Sequence, residues 1–211
     1  MKKITAGLLV LGLFSSVATA DTNESVTEGT LSKTYLGLDI YQGESNFDIS
    51  GGGFSGDKDF DLDGFRLKFG KSSPENIRYQ VYFKSEEIDG YDFFDDNIYG
   101  IGMDVIKTIP VGGDRLSLFG LLGAGLDWME LEDDAFSDYN EDSLNAFHVK
   151  LGFGATYQIN SSIEVISGFD LQFRSWQEIE TIHIDNAGIH SDDLEIEDTS
   201  TTFYAGLNFY F

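Results

Sequence analysis

The chain of 211 residues has no cysteine, only two prolines and few basic residues. Without cysteine, no disulfide, thiol chemistry or cysteine-linked lipid anchor contributes to it. Its 13 Lys and Arg stand against 37 Asp and Glu, for a formal net charge of −24. Nucleic acid is therefore excluded as a partner, because phosphate binding requires concentrated basic side chains.

The sequence also lacks an apolar run long enough to span a membrane as a helix. The longest, from Ile4 to Val17, is shorter than the roughly 20 residues that a spanning helix needs. It follows Lys2-Lys3 and precedes Ala18-Thr19-Ala20, the layout of a cleavable secretory signal peptide, with a membrane anchor as the alternative. We predict a signal peptide over residues 1–20, a short periplasmic N-terminal segment over 21–33 and one barrel domain over 34–211.

Eight segments alternate between an apolar face and a polar or small one, as strands between lipid and a lumen would. The last is the clearest, because Phe203, Leu207 and Phe211 share one face while Tyr204 and Asn208 share the other. About ten residues tilted near 45° match the apolar band of a membrane barrel. The eight segments are 36–41, 64–70, 77–84, 99–105, 118–128, 147–158, 163–174 and 203–211.

The connections between these segments alternate strictly between short and long. Short turns are predicted at 72–76, 110–114 and 160–162, and long connections at 43–63, 85–97, 127–143 and 175–199. Outer-membrane barrels have this layout, with periplasmic turns at one end and surface loops at the other. The pattern therefore predicts an all-β, eight-stranded antiparallel up-and-down transmembrane β-barrel, with a soluble lipocalin-like barrel or sandwich as the alternative.

The glycine-spaced strands and the terminal aromatic residue carry a family resemblance. The stretches are Gly100-Ile101-Gly102, Gly120-Leu121-Leu122-Gly123-Ala124-Gly125 and Leu151-Gly152-Phe153-Gly154, together with Phe211. Over residues 34–211 the layout resembles the small eight-stranded outer-membrane family that includes the transmembrane domain of outer-membrane protein A and the opacity-type proteins. The resemblance implies the outer membrane of a Gram-negative bacterium, with Phe211 as part of the signal read by the barrel-assembly machinery after delivery by periplasmic chaperones.

Charged residues on the polar strand faces are predicted to point into the barrel. They are Asp39, Arg66, Lys68, Arg78, Lys84, Asp104, Lys150, Glu164, Asp170 and Arg174. Opposite charges can pair there, whereas charges that face lipid cost several kcal/mol. Eight strands enclose an interior that side chains can fill, so we expect a packed lumen charge network. A narrow ion path along the same residues is the alternative.

The long connections hold 28 of the 37 acidic residues, so the outward end should be strongly negative. Three interpretations remain open: solvated repulsive loops, carboxylates that bind Ca²⁺ or Mg²⁺, and a surface for a cationic partner. Hard cations favour carboxylate oxygens, and Asp57, Asp59, Asp61 and Asp63 form a candidate row for loose cation binding. The start of an EF-hand loop at Asp59 is not continued, because Gly70 stands where the bidentate Glu is needed.

An enzyme of the lipid-modifying kind would need His, Ser and an acid that converge. The three histidines are His148, predicted to face the lumen, and His183 and His190 in the fourth long connection. We therefore predict a non-catalytic barrel without a cofactor that contributes to envelope structure or surface interaction, with a small pore or a lipid-modifying enzyme as alternatives. Its expected partners are outer-membrane lipid and lipopolysaccharide, and the sequence names no surface ligand.

Overall fold

A computed structural model of the chain describes residues 32–51, 54–89, 94–112, 115–131, 143–185 and 188–211. Nine strands occupy these ranges: Lys33–Gly51 (β1), Phe54–Ser72 (β2), Ile77–Asp89 (β3), Phe94–Gly112 (β4), Leu116–Leu131 (β5), Ser143–Gln158 (β6), Ile163–Trp176 (β7), Ile179–Asp185 (β8) and Gly188–Tyr210 (β9). The described ranges contain no helix that is long and apolar enough to cross a membrane. The segment predicted as a signal peptide lies outside them.

Eight of the strands form a closed antiparallel barrel in which neighbours in sequence are neighbours in space. β1 pairs with β9 to close it, with Tyr35 opposite Tyr210 at one end and Ser50 opposite Glu195 at the other. The remaining strand, β8, pairs with β9 alone. The predicted all-β, eight-stranded up-and-down barrel is confirmed.

Short turns gather at one end of the barrel, which we call the turn end; the opposite end is the loop end. Between β2 and β3, the Ser73 amide donates to the Ile77 carbonyl at 2.7 Å, and Asn76 has φ = 58°, a left-handed conformation that asparagine tolerates. Between β6 and β7, Asn160 Oδ1 accepts from the amides of Ser162 and Ile163 at 2.9 and 3.0 Å. These local hydrogen bonds account for the tight reversals predicted at both places.

The extents predicted for the long connections are wrong. Strands β1 and β2 stay paired through the predicted connection 43–63, up to Gly51 opposite Phe54. The predicted connections 85–97 and 127–143 shorten in the same way, because β3, β4, β5 and β6 extend into them. Within 175–199, β8 forms a hairpin with the first part of β9, from Ile179 opposite Leu194 to Asp185 opposite Gly188.

The strands continue into these regions because apolar and polar residues still alternate there, with the apolar residues now on the inward face. In β1, Leu36, Leu38 and Ile40 face outward and are exposed, whereas farther on Phe47 is buried inside and Asp48 faces outward. We call the part with apolar outward side chains the membrane band. The part beyond it, residues 42–51, 54–63 and 188–201 with the adjoining strand ends, is the outer extension.

Candidate functional site

The interior of the barrel is the candidate site, and the strand register aims all ten predicted lumen charges into it. Nine of them are buried, and the Arg78 side chain is 11% exposed. Every one of the ten has an oppositely charged partner within 4.0 Å, and the pairs fall into three groups from the turn end to the loop end.

The group nearest the turn end is centred on Arg78 and Glu164. The guanidinium donates two parallel hydrogen bonds to the carboxylate, from Nη1 to Oε1 at 2.6 Å and from Nη2 to Oε2 at 2.8 Å. Asn208 and Tyr210 also donate to Glu164 Oε1, at 2.9 and 3.2 Å. The bidentate geometry holds both charges in one orientation at the mouth of the lumen.

The central group is a chain of alternating charges. Asp39 binds Lys68 through Oδ1 at 2.5 Å and Arg66 Nε through Oδ2 at 3.2 Å. Arg66 continues to Asp170, with Nη2 at 3.0 Å from Oδ2. Because each charge has neighbours of the opposite sign, none is left uncompensated in the interior.

Lys150 extends this chain to the other side of the lumen. Its Nζ lies 3.1 Å from Asp104 Oδ1 and 3.8 Å from Asp170 Oδ2. The same ammonium lies 4.1 Å from the centre of the Tyr82 ring, and the Arg66 guanidinium lies 4.9 Å from that of Tyr204. Tyrosine rings therefore fill the space between the ion pairs with faces that attract cations.

The group nearest the loop end contains three acids that the sequence analysis assigned to surface connections. Glu86, Asp127 and Asp198 are buried, and each lies within 3.3 Å of the Arg174 guanidinium. Lys84 Nζ lies 3.0 Å from both Glu86 and Asp127. The assignment of Glu86 and Asp198 to the surface is wrong, since the strands continue and their parity points inward; the i, i+2 step from Lys84 to Glu86 was the available signal. Asp127 belongs both to the predicted segment 118–128 and to the predicted connection 127–143, and it lies in β5.

His148 joins this last group through both ring nitrogens. Nδ1 lies 3.0 Å from Asp127 Oδ2, and Nε2 lies 2.7 Å from the Tyr82 hydroxyl. The side chain is 0% exposed, so the imidazole is an enclosed member of the network. The other two histidines are opposite each other in the β8–β9 register, at His183 and His190.

Glycines on neighbouring strands make the space for the lumen carboxylates. Four aspartates lie directly opposite a glycine: Asp39 with Gly206, Asp104 with Gly123, Asp127 with Gly100 and Asp170 with Gly152. A Cβ on any of these glycines would collide with Oδ1 of the facing aspartate. Tyrosines use the same arrangement, with Tyr35 opposite Gly70, Tyr41 opposite Gly64 and Tyr82 opposite Gly102. The glycine-rich strands thus accommodate the large and charged groups of the network.

Beyond the network, the loop end of the lumen is closed by an apolar layer. Its members are buried side chains from all eight barrel strands: Phe47, Phe60, Ile88, Ile98, Met129, Leu144, Ala146, Trp176 and Ile196. The Phe47 and Phe60 rings meet edge to face at 5.5 Å, and Trp176 Nε1 donates to Asp198 at 2.7 Å. The layer therefore packs directly on the charged group below it.

The space left inside is small. A cavity of about 10 Å³ lies between Tyr41, Arg66, Glu86 and Lys150, which is barely room for one water molecule. A second cavity, of about 170 Å³, opens at the turn end beside Lys33, Arg78 and Tyr210. The packed charges and the apolar layer thus separate the turn end from the loop end.

The row of aspartates proposed for cation binding lies on the outward face of β2. Asp57, Asp59, Asp61 and Asp63 are exposed, and Asp59 Oδ1 accepts a hydrogen bond from Asn46 at 2.7 Å. Alternate residues of a strand lie about 6.6 Å apart, so the row is extended along the sheet. Among the described residues, no group of three or more His, Cys, Asp or Glu is arranged to hold a metal ion. Cation binding by this row stays a prediction.

The chain belongs to the family of the outer membrane protein β-barrel domain, whose model matches residues 6–211. Family membership implies the outer membrane of a Gram-negative bacterium, with the turn end on the periplasmic side. No curated protein sequence matches the chain.

Solved structures with the same fold include small outer-membrane barrels. The neisserial surface protein A is 12% identical, with a TM-score of 0.53 over 84% of this chain and 97% of its own. OprG from Pseudomonas aeruginosa is 11% identical, with a TM-score of 0.52 over 89% of this chain and 99% of its own. At these identities the likeness concerns the fold.

Proposed function

We propose that this protein is a non-conducting, non-catalytic outer-membrane barrel that presents an acidic β-structured surface outside the membrane and contributes to envelope structure or surface interaction. The observation that carries the proposal is the filled lumen. Charge pairs occupy it from Arg78 to Arg174, and the apolar layer around Phe47 lies beyond them. An interior that is filled with paired charges and apolar side chains stabilises the barrel wall. Interaction with other molecules is then left to the outer surface of the barrel.

The alternative of a small pore is disfavoured by the cost of opening such an interior. An ion path needs continuous water, whereas the cavity between Tyr41, Arg66 and Lys150 holds about 10 Å³. Separating a buried ion pair costs several kcal/mol because each charge would lose its partner without full hydration. The apolar layer adds a second barrier that contains no charged side chain.

The alternative of a lipid-modifying enzyme is disfavoured by the surroundings of His148. Both of its ring nitrogens are engaged by Tyr82 and Asp127, and the side chain has no exposed surface for a substrate to reach. A general base must lie within hydrogen-bond reach of the substrate proton, and lipid would approach from outside the wall. We infer that His148 orients the network.

The outer extension supports the part of the proposal that concerns interaction. Outward carboxylates face each other across three adjacent strands, with Glu44 opposite Asp61 and Asp48 opposite both Asp57 and Glu197. Like charges directly opposite in a sheet repel, so this face is favourable to cations. Divalent cations that bridge it to the phosphates of neighbouring lipopolysaccharide, or a cationic surface partner, are the occupants that this chemistry suits.

The C-terminal residue supports a proposal about assembly. Phe211 follows the last paired residue, is 77% exposed and donates its amide to the Thr34 carbonyl at 2.9 Å. Its ring is thus available to the barrel-assembly machinery and is not needed by the lumen. Deletion of Phe211 should reduce the amount assembled in the outer membrane while the purified variant still refolds in detergent.

The decisive test is single-channel recording from refolded protein in planar bilayers, with a porin in the same bilayers as positive control. Closure of the barrel is verified by its heat-shifted gel mobility. We expect no discrete openings from a sample that shows the shift. Reproducible openings from the folded barrel would overturn the non-conducting assignment and make a pore the leading function.

A second test addresses the acidic surface. Protein in nanodiscs is titrated with calcium and then passed over immobilised lipopolysaccharide, with a variant in which Asp57, Asp59, Asp61 and Asp63 are changed to Asn. We expect calcium-dependent retention that the variant loses. Equal retention of both proteins would remove this face from the proposal.

A further inference from the structure

One outward-facing glycine leaves a gap in the lipid-facing wall. Gly120 lies in β5 on the same face as Leu118 and Leu122, and a Cβ built on it would meet no atom within 4 Å. The glycines that face the lumen behave in the opposite way, since a Cβ on Gly100 or Gly123 would collide with a carboxylate. The lumen network therefore does not account for a glycine at position 120.

The gap is the floor of an apolar groove of about 930 Å³ on the outside of the barrel. Val105 and Leu122 line one side, and Phe153 and Phe169 line the other with stacked rings whose centres are 5.8 Å apart. Phe153 is 65% exposed, so the ring stands out from the wall beside Gly120, which is its partner in the β5–β6 register. Side chains on both sides thus rise above a floor that has none.

The groove is long enough for a hydrocarbon chain. Within the membrane band it runs along the curved wall from Lys107 in β4 to Leu171 in β7, which crosses three interstrand spacings, or about 14 Å. One leaflet of a bilayer contributes about 15 Å of hydrocarbon, so an inclined acyl chain would occupy this length.

A single basic side chain stands at one end of the groove. Lys107 lies directly opposite Gly120, and its Nζ donates to the Glu75 carbonyl of the β2–β3 turn at 2.7 Å. The ammonium therefore lies at the level of a periplasmic turn, with two further protons to donate. Asp170 also borders the groove, but its carboxylate is buried in the lumen and paired with Arg66.

The charge at the turn end of the barrel indicates which leaflet an anionic headgroup would come from. Lys33, Lys71, Lys107 and Arg115 lie at the turn end of the sequence layout, against Glu75 and Asp114. The loop end, where lipopolysaccharide phosphates lie, presents the acidic outer extension instead. Basic side chains near a membrane surface attract anionic headgroups.

We propose that this groove binds one anionic glycerophospholipid of the periplasmic leaflet, with an acyl chain over Gly120 and the phosphate on Lys107. Bulk lipid covers the rest of the wall without selection. At this groove the absence of a side chain at Gly120 leaves room for an acyl chain, and the Lys107 ammonium provides the preference for an anionic headgroup.

Native mass spectrometry of the full-length mature protein, released from nanodiscs that contain equal amounts of phosphatidylglycerol and phosphatidylethanolamine, tests the proposal. We expect one retained lipid per barrel, enriched about fivefold in phosphatidylglycerol over phosphatidylethanolamine. Gly120→Leu should lose retention of both lipids, because the side chain fills the floor. Ala124→Leu, on the same face of the same strand, is its control and should retain lipid as the unchanged protein does.

The headgroup is tested separately with Lys107→Gln, which should keep the retained lipid and lose the fivefold preference. Lys71→Gln removes a lysine of the same rim away from the groove and should keep the preference. Heat-shifted gel mobility verifies that each variant is folded. Retention that survives Gly120→Leu, a preference that survives Lys107→Gln, or a protein dimer that Gly120→Leu abolishes would each overturn the proposal.

Discussion

The membrane band and the outer extension are built from the same strands with opposite arrangements of side chains. In the band, Leu38 of β1 faces outward and Asp39 faces the lumen. Eight residues farther along the strand, Asn46 faces outward and Phe47 is buried inside. The register across β1 and β2 is continuous from Lys33 to Gly51, so the backbone does not change between the two regions. The two regions differ in which face of the strand is apolar because lipid surrounds the one and water surrounds the other.

Along each strand the same alternate residues face outward from one end to the other. The comparison shows that the medium around the wall, lipid or water, decides whether the outward or the inward residues are apolar. Lipid surrounds the band, so burying apolar groups in the lumen brings little gain over leaving them in lipid, and paired charges occupy most of the interior there, beside a smaller apolar cluster that includes Ile106 and Ile166. Water surrounds the outer extension, so its interior takes apolar side chains as the core of a soluble protein does. The boundary lies between the Arg174 group and the layer that contains Trp176.

Breaking the charged interior should have the largest effect. Asp127→Ala would leave Lys84 and Arg174 with Glu86 as their remaining shared carboxylate and His148 Nδ1 without its acidic partner, and we expect the free energy of unfolding to fall by about 3–5 kcal/mol. Urea titration of the protein refolded into lipid vesicles, followed by tryptophan fluorescence, measures it. Asp59→Ala removes an exposed acid of the extension and should stay within about 0.5 kcal/mol. Equal stabilities of the two variants would show that the network is not stabilising.

The apolar interior of the extension should be nearly as sensitive. Phe47 is 2% exposed, and Phe47→Ala would leave a cavity beside Phe60 that costs about 3–5 kcal/mol. Phe65→Ala, on the lipid face of the band, should cost about 2 kcal/mol because lipid fills the vacated space. The same titration in vesicles compares them. A larger loss for Phe65→Ala would contradict the view that the buried layer around Phe47 is packed more tightly than the lipid-facing side chains of the band.

A charge placed on the outward face sharpens the contrast further. Leu38→Arg puts a guanidinium in the middle of the band's lipid face, and we expect a loss of about 2–4 kcal/mol in the free energy of unfolding. Asn46→Arg makes the same charge on the same face of the same strand, opposite Asp59, and should change stability by less than about 0.5 kcal/mol. Similar losses at both positions would place the extension inside the membrane.

The smallest effect concerns repulsion on the acidic face. Asp61→Asn removes one of two carboxylates that face each other, Glu44 being the other, and should raise the free energy of unfolding by about 0.2–1 kcal/mol at low ionic strength. Salt screens exposed charges, so the gain should disappear at high sodium chloride concentration. Ser55→Asn, an uncharged change on the same strand face, is the control. A gain that persists in high salt would have a cause other than charge.

Much of this architecture follows from the sequence because lipid imposes a strict rule on the band. Alternation in the stretches around Leu38, Leu67 and Leu207 predicts the number of strands, their outward faces and the inward direction of Asp39, Arg66 and Lys150. Beyond the band the same rule fails, since Phe47 and Phe60 lie on the parity that carries polar groups elsewhere. A search for one apolar parity therefore cuts strands short at the loop end, as it does at Glu86 and Asp198.

The sequence by itself determined the class of fold, because a period of two with apolar residues on one parity is compatible with few structures in a membrane. Only the tertiary structure decided which charges meet, since the pairing of Arg66 with Asp170 spans 104 residues and depends on closure of the barrel. It also decided that Gly120 faces open space whereas Gly123 faces Asp104. A glycine has no side chain from which its surroundings can be read, and its neighbours come from strands that only the closed sheet brings together.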